Sequence, residues 1–180
     1  MRRPADGPAA ETVELGPPGD AEVFARIICL RLLDQRARTR AELASALHRR
    51  GVPEEAAGAV LDRFVDVGLI DDGALAEGYA LAQHHERGLA GRAVALKLRR
   101  RGVPDSDIQT AVAQIDADAE RAAAQRLVAR KLRALVGVEP SAQARRLVGL
   151  LARRGYSPGL AHDVVRAAMA GQLPDDPVDG

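Results

Sequence analysis

Apolar residues recur along most of this chain at the three-to-four-residue spacing of one helix face. Val128, Leu132 and Leu135, for example, follow one another at i, i+4 and i+7. No stretch shows the strict alternation of apolar and polar residues that is typical of a strand. The pattern predicts an all-α fold of nine helices. With their capping residues, these helices span about residues 21–35, 39–50, 53–67, 71–87, 91–101, 104–115, 117–136, 141–154 and 157–170.

Polar residues at the predicted helix starts indicate how several helices begin. Thr39 and Glu42 have the spacing of a capping box, and Ser141 is the residue that we expect to cap the eighth helix. Asp71 and Asp72 precede the fourth helix. Paired carboxylates could serve acid–base chemistry or bind magnesium, but their position favours helix capping.

Three segments share one pattern, in which two arginines and a glycine are followed by valine or tyrosine and then by proline. Their glycines, Gly51, Gly102 and Gly155, lie 51 and 53 residues apart. A recurring period of about 50 residues is typical of a repeat protein. Glycine just past one helix and proline at the start of the next is the usual order at such a junction. We therefore predict three tandem three-helix repeats in an elongated, curved body. The predicted repeats span residues 21–70, 71–116 and 117–171.

The two ends of the chain have a different composition. Residues 1–20 contain four prolines and three glycines with little apolar periodicity, and the last ten residues contain two prolines and three aspartates. Both compositions favour disorder, so we expect tails over residues 1–20 and 172–180.

Composition indicates an intracellular protein. No apolar run approaches the ~20 residues that a membrane span needs, and the first residues contain no apolar core of a secretion signal. The lone Cys29 cannot form an internal disulfide, and its apolar neighbours favour a buried, unreactive thiol. We expect a cytoplasmic monomer.

Catalytic and metal-binding chemistry has little support in the sequence. His84 and His85 are adjacent, so they point about 100° apart on a helix, and no second ligand cluster lies at a suitable spacing. Neither a Walker-type phosphate loop nor a nucleophile elbow is present. We expect no cofactor, no metal and no enzymatic activity.

Positive charge is concentrated in the second half of the chain. Residues 87–166 carry sixteen basic and seven acidic side chains, a net charge of +9, although the whole chain has +1. Such a segment attracts a polyanion or an acidic protein surface. The arginines that we expect to contact that partner are Arg92, Arg99, Arg100, Arg101, Arg126, Arg130, Arg133, Arg145, Arg146, Arg153 and Arg154.

The seventh helix carries the clearest row of these charges. Arg126, Arg130 and Arg133 recur at helical spacing on the side roughly opposite the apolar stripe. Like charges at i and i+4 cost about 0.2–0.5 kcal/mol per pair, so this row does not stabilise its own helix. An ordinary solvated face and helix-dipole complementarity are the alternatives to a partner site.

Sequence-specific DNA recognition is not favoured, although the helix–glycine–helix units resemble helix-turn-helix modules. The second helix of such a module should direct basic or amide side chains toward base edges. The helix after Gly51 begins with Glu54 and Glu55, and the helix after Gly102 carries acidic but no basic residues. Four aromatic residues are too few for stacking of unpaired bases, which leaves weak, salt-sensitive contact with a nucleic acid backbone.

Several motifs together resemble those of the RecX family of recombination regulators. They include Arg-Thr-Arg-Ala-Glu-Leu-x-x-x-Leu before Arg-Arg-Gly-Val, Gly68-Leu-Ile-Asp-Asp72, Ala76-Glu-x-Tyr79, Arg87-Gly88, Leu98-Arg-Arg-Arg-Gly-Val103 and Leu151-Ala-Arg-Arg-Gly-Tyr156. The resemblance covers about residues 24–170. Relatives often have glycine at the position of Ala90 and an acidic residue at the position of Lys97, so a family contact through that carboxylate is in doubt.

The resemblance implies three tandem three-helix modules that bind RecA and the RecA filament on single-stranded DNA. It implies inhibition of filament extension, ATP hydrolysis, strand exchange and co-protease activity, and hence regulation of DNA repair and the SOS response. Two alternatives stay open at this point. They are a tandem helix-turn-helix DNA-binding regulator and a helical adaptor for another acidic protein.

Overall fold

A computed structural model describes residues 18–171, and within them the chain forms nine α-helices and no strand. The predicted all-α fold is confirmed. The chain divides after Asp71 into two compact units. We call the described parts of these units the N-terminal unit, residues 18–71, and the C-terminal unit, residues 72–171. The helices are α1 (Pro18–Gln35), α2 (Arg40–His48), α3 (Glu54–Asp66), α4 (Asp72–Arg87), α5 (Gly91–Arg100), α6 (Asp105–Ala113), α7 (Ala117–Arg133), α8 (Pro140–Arg153) and α9 (Pro158–Met169).

Helix α1 begins three residues earlier than the sequence pattern predicts. Residues 18–20 were expected to belong to the disordered tail, but they form the first turn of α1. Proline suits this position because the first helical N–H groups have no partner within the helix. Asp20 in the first turn adds a favourable interaction with the helix dipole. The predicted tails otherwise fall on residues 1–17 and 172–180, outside the described residues.

The repeated sequence pattern corresponds to one repeated turn. Gly51, Gly102 and Gly155 have φ angles of 72°, 76° and 89°, in the left-handed region that glycine adopts most readily. In each copy the N–H after the glycine donates to a carbonyl five residues earlier, at 3.2 Å. This bond and the glycine's own N–H bond form a Schellman motif. The three bonded pairs are Val52 with Leu47, Val103 with Leu98, and Tyr156 with Leu151, and all six residues are buried.

The capping box predicted for the second helix is confirmed. The Thr39 hydroxyl accepts the N–H of Glu42 at 3.0 Å, and the Glu42 carboxylate accepts the N–H of Thr39 at 3.1 Å. Because Thr39 is fully buried, this pair also satisfies polar groups that water does not reach.

The cap predicted for the eighth helix is wrong. Glu139, not Ser141, is the N-cap of α8, and its carboxylate accepts the N–H of Ala142 at 3.1 Å. Pro140 explains the difference, because proline favours the first helical position and so makes the preceding residue the cap. The Ser141 hydroxyl instead donates to the Glu139 carboxylate. Hydrogen bonds from Ser141 and Ala142, with a smaller effect of the Arg145 charge, hold the pKa of Glu139 below its usual value.

Three apolar clusters form the core of the described chain. One lies in the N-terminal unit and joins α1, α2 and α3. The C-terminal unit holds two, one among α4, α5 and α6 and one among α7, α8 and α9. The division of the chain into repeats at residues 70/71 and 116/117 stays a prediction. Leu135 belongs to the last cluster, as expected, but α7 ends at Arg133, so this leucine packs from the following turn.

Within the C-terminal unit, the loop between α4 and α5 packs on the turn between α8 and α9. The N–H of Ala90 donates to the carbonyl of Arg154 at 3.0 Å. The Tyr156 hydroxyl donates to the carbonyl of Gly88, also at 3.0 Å. Burial first, and then the nearby Glu120 charge, raise the pKa of Tyr156 to about 12. We call this contact region, residues 88–91 with Arg154 and Tyr156, the joint.

Helix α7 also contacts the joint. Glu120 in its first turn accepts the N–H of Gly91 at 2.7 Å, which satisfies a donor at the start of α5. One helix end is therefore capped by a side chain from another helix, and the loop is held at a fixed position relative to α7.

Candidate partner-binding surface

All eleven arginines that the sequence singles out lie in the C-terminal unit. Four lie on α5 or directly after it, three on α7, and four on α8 or directly after it. Arg101 and Arg154 are partly buried, and the other nine side chains are exposed. The unit carries sixteen basic and ten acidic residues over positions 72–171. Its surface is therefore predominantly positive.

Two arginines at the end of α5 are engaged within the molecule. Arg99 forms an ion pair with Asp105, with 2.8 Å between Nε and Oδ1. The Arg101 guanidinium lies over the ring of Tyr79, 5.4 Å from its centre, which is a cation–π contact. Because the side chains of the Arg99 pair are more than half exposed, it contributes at most about 1 kcal/mol and competes weakly with an outside partner.

Arg126 and Arg130 on α7 share a small pocket with the end of α4. The pocket has a volume of about 140 Å³. We call it the arginine pocket, and it is lined by His84, His85, Glu86, Arg87, Gly88, Ala123, Arg126, Leu127 and Arg130. Arg133 lies on the same helix outside this lining. The structure thus brings three arginines from two helices to the lining of one pocket.

Arg87 is a site residue that charge periodicity missed. It is the last residue of α4, 39 positions before Arg126, and it belongs to no row of arginines in the sequence. The only sequence feature that singles out this arginine is the Arg87-Gly88 motif. Gly88 has a φ of 58°, and a Cβ at this position would lie 2.9 Å from Leu127 Cδ1. Glycine therefore lets the chain turn directly against α7, which places Arg87 beside Arg126 and Arg130.

His84 supports the pocket wall rather than reacting. It is 3% exposed, and its Nδ1 lies 2.9 Å from the carbonyl oxygen of Leu89. Because a carbonyl can only accept, Nδ1 donates in this bond. His85 is exposed, and its ring plane lies at 73° to that of His84. Within the described residues no group of three or more His, Cys, Asp or Glu could hold a metal ion.

The three arginines of the pocket have no carboxylate partner among residues 18–171. Neither a hydrogen bond nor an ion pair forms between these guanidinium groups and any described residue. Ion pairs of the described chain involve other arginines, among them Arg36, Arg40, Arg99 and Arg166. The pocket therefore holds concentrated positive charge that is neutralised only weakly from within.

Arg50, one of the paired arginines at helix ends, acts on its own helix. Arg50 of the N-terminal unit donates to the carbonyl of Ala46 at 2.9 Å, as expected for a cation at a helix C-terminus. Arg145 and Arg146 on α8 are exposed and do not line the arginine pocket. Helix-dipole complementarity is thus sufficient to explain some of the arginines at helix ends, but it does not account for the arginine pocket.

The N-terminal unit presents a different surface. Val23, Ile27 and Leu30 follow along α1 at helical spacing and are 52%, 44% and 45% exposed. Cys29, on the same helix, is fully buried, and burial raises the pKa of its thiol. The prediction of a buried cysteine is confirmed. None of the helices of the described chain is long and apolar enough to cross a membrane.

The fold and this surface define an all-α protein of helical repeats whose C-terminal unit is predominantly positive. Two parts of the chain match parts of one family. Residues 25–64 match the family described as "RecX, first three-helix domain", and residues 71–112 match "RecX, second three-helix domain".

Full-length relatives carry the same name. The regulatory protein RecX of Streptomyces coelicolor is 53% identical over 153 residues, which cover 85% of this chain and 81% of the relative. That of Thermobifida fusca is 48% identical over 157 residues, with 84% and 85% covered. The chain therefore belongs to the RecX family of regulatory proteins, and the resemblance noted in its motifs is confirmed.

Solved structures share the fold. The crystal structure of RecX from Lactobacillus salivarius superposes with a TM-score of 0.75 at 17% identity, over 82% of this chain and 96% of that one. A second crystal structure, of regulatory protein RecX, gives a TM-score of 0.74 at 22% identity, over 81% and 73%. At these identities the likeness concerns the helical architecture alone.

Proposed function

We propose that this protein binds RecA and the RecA filament on single-stranded DNA and inhibits the recombinase. The inhibited activities are filament extension, ATP hydrolysis, strand exchange and co-protease activity. Through them the protein regulates DNA repair and the SOS response. It acts in the cytoplasm, as a monomer, by binding alone and without a cofactor or a catalytic step.

Membership of a family of regulatory proteins is the observation that carries this proposal. The identity of 53% extends over 85% of the chain and so includes both units. The basic surface of the C-terminal unit supports it independently, because a nucleoprotein filament offers both acidic protein surface and DNA phosphate. Guanidinium groups suit both, since their planar fork donates two parallel hydrogen bonds to a carboxylate or a phosphate.

The direct test is the effect of the full chain on DNA-dependent ATP hydrolysis by RecA. We expect hydrolysis to fall as the chain is added, up to about one molecule per RecA. Changing Arg126, Arg130 and Arg133 together to Gln should weaken the inhibition about tenfold or more, because even one lost charge-assisted hydrogen bond contributes about 1.5–3 kcal/mol. The initial rate of ATP hydrolysis at increasing protein concentration measures both effects.

A matched control removes the same charge from the other unit. Arg26, Arg31 and Arg63 are exposed residues of α1 and α3, and changing these three to Gln should leave inhibition nearly intact. Unchanged ATP hydrolysis at every ratio of wild-type chain to RecA would contradict the proposed function. Equal losses from the two triple variants would instead contradict the assignment of the contact to α7.

A further inference from the structure

We propose that the arginine pocket is a binding site for a single phosphoryl group. The site is built from Arg87 at the end of α4 and from Arg126 and Arg130 on α7. Its biological meaning rests on the proposed function, in which the protein meets DNA, but the binding itself requires no RecA. The site is a defined ligand position on a surface that is otherwise described only by its positive charge.

The first argument is the convergence of like charges. Arg126 and Arg130 lie four positions apart on one helix, where two cations repel each other. Arg87 adds a third guanidinium from a different helix. Of the residues that line the pocket, only Glu86 carries a carboxylate, against three arginines. A bound anion would relieve this repulsion.

The second argument is that these guanidinium groups are available. Arg87, Arg126 and Arg130 are exposed and make no hydrogen bond or ion pair with other described residues. Arg99, by contrast, is held by Asp105. An anion in the pocket could therefore accept hydrogen bonds without breaking existing ones.

The third argument is size. Pockets for drug-sized ligands measure about 300–1,000 Å³, whereas this one measures about 140 Å³. A water molecule in the liquid occupies about 30 Å³, so the pocket has room for only a few waters. A phosphoryl group fits this space and a nucleoside does not. A phosphate of a nucleic acid backbone would thus bind here with its base outside.

The fourth argument is that the pocket is preformed. Its α4 side is fixed to the rest of the unit by the joint, in which Gly88 accepts from Tyr156 and the His84 ring donates to Leu89. Its α7 side contacts Gly88 through Leu127. Because the backbone around the pocket is fixed in advance, a ligand has to order only the arginine side chains when it binds.

Titration of the ¹⁵N-labelled full chain with inorganic phosphate, at constant ionic strength, tests the site by NMR. We expect saturable shifts of the Gly88 amide and of the Arg126 and Arg130 side-chain N–H signals. A second titration uses a thymidine dinucleotide, whose one phosphate is a phosphodiester. Saturation by the dinucleotide would identify the backbone of a nucleic acid as the source of the phosphoryl group, and saturation by inorganic phosphate alone would identify a free phosphate.

Two variants with the same loss of charge make the test specific. Changing Arg126 and Arg130 to Gln should weaken binding about tenfold or more, since both lost donors are charged. Changing Arg26 and Arg31 on α1 to Gln should alter it by no more than about twofold, because these exposed arginines do not line the pocket and act on its ligand only through a screened field. Arg87→Gln is the second variant if the first pair does not fold by far-UV circular dichroism.

Equal weakening by the two double variants would overturn the proposal, and so would titrations that never saturate. These outcomes are separable from those of the RecA assay. Inhibition of RecA by a chain that binds no phosphate would overturn the pocket and leave the proposed function standing. Saturable phosphate binding by a chain without effect on RecA would overturn the proposed function and leave the pocket standing.

Discussion

The two units of this protein share a turn but differ in the surface that surrounds it. Both use a left-handed glycine followed by a buried apolar residue to end one helix and start the next. The N-terminal unit pairs Arg36 with Glu42 and Arg40 with Asp62. It also holds six of the nine large hydrophobic residues that are exposed in the described chain. The C-terminal unit pairs Arg99 with Asp105 and Arg166 with Asp163, but around one pocket it also places three arginines that have no carboxylate partner in the described chain.

This difference shows that the repeated turn determines the backbone conformation, whereas the residues on the exposed surface differ from one copy to another. The turn depends on one glycine and on two buried side chains, such as Leu98 and Val103. Residues on the exposed helix faces do not enter these contacts. One three-helix frame can therefore carry an apolar face in one copy and a basic one in another.

The largest expected effect is on stability, and it tests whether the shared turn contributes equally to the free energy of unfolding of both units. Leu47→Ala in the N-terminal unit and Leu98→Ala in the C-terminal unit each remove a fully buried leucine. We expect each to lower the free energy of unfolding of its own unit by about 2–5 kcal/mol. Native-state hydrogen exchange measures the two units separately. A loss below about 1 kcal/mol in only one unit would show that the turns are not equivalent.

A smaller effect on stability distinguishes Gly88 of the C-terminal unit from Gly58 of the N-terminal unit. Gly88→Ala introduces a side chain at positive φ and close to Leu127, so we expect the C-terminal unit to lose about 1–3 kcal/mol. Gly58 lies inside α3 with no atom within 4 Å of an added Cβ. Gly58→Ala should therefore stabilise the N-terminal unit, by about 0.5–1 kcal/mol. Hydrogen exchange again gives both values. A neutral or stabilising Gly88→Ala would contradict the close packing at Gly88, and a destabilising Gly58→Ala would contradict the open space at Gly58.

The last effect concerns the joint and appears only at high pH. Tyr156 has an ordinary pKa of 10.0 and a pKa of about 12 in the folded protein. The unfolded chain thus loses this proton first, and the stabilising contribution is complete below pH 10 and is lost as pH rises toward 12. Tyr156→Phe should remove this part of the pH dependence. Urea unfolding of both proteins across this interval measures it, and identical slopes would contradict the buried hydroxyl.

The sequence was sufficient to predict features that depend on residues close to one another along the chain. The Schellman turns follow from Gly51, Gly102 and Gly155 with their flanking residues, and the capping box follows from Thr39 and Glu42. Such signals act within a few residues, so a pattern can predict them. The error at α8 arose because Glu139 and Ser141 can both cap, and only the proline between them decides.

The arginine pocket could not be predicted because it depends on contacts between distant segments. Periodicity placed Arg126 and Arg130 on one face of α7, but nothing local connects them with Arg87. That proximity requires the loop after α4 to pack on α7, through the Glu120 carboxylate and Leu127. Charge also identified Arg99, whose pairing with Asp105 is visible only in the folded chain.

The joint has a consequence for biosynthesis. Valine follows the turn glycine in the first two copies, and tyrosine follows it in the third. The tyrosine hydroxyl reaches back 68 positions to the carbonyl of Gly88. A ribosome therefore releases α4 and α5 well before the residue that holds their loop in place. The loop, and the position of Arg87 with it, becomes fixed only when the last helices have emerged from the exit tunnel.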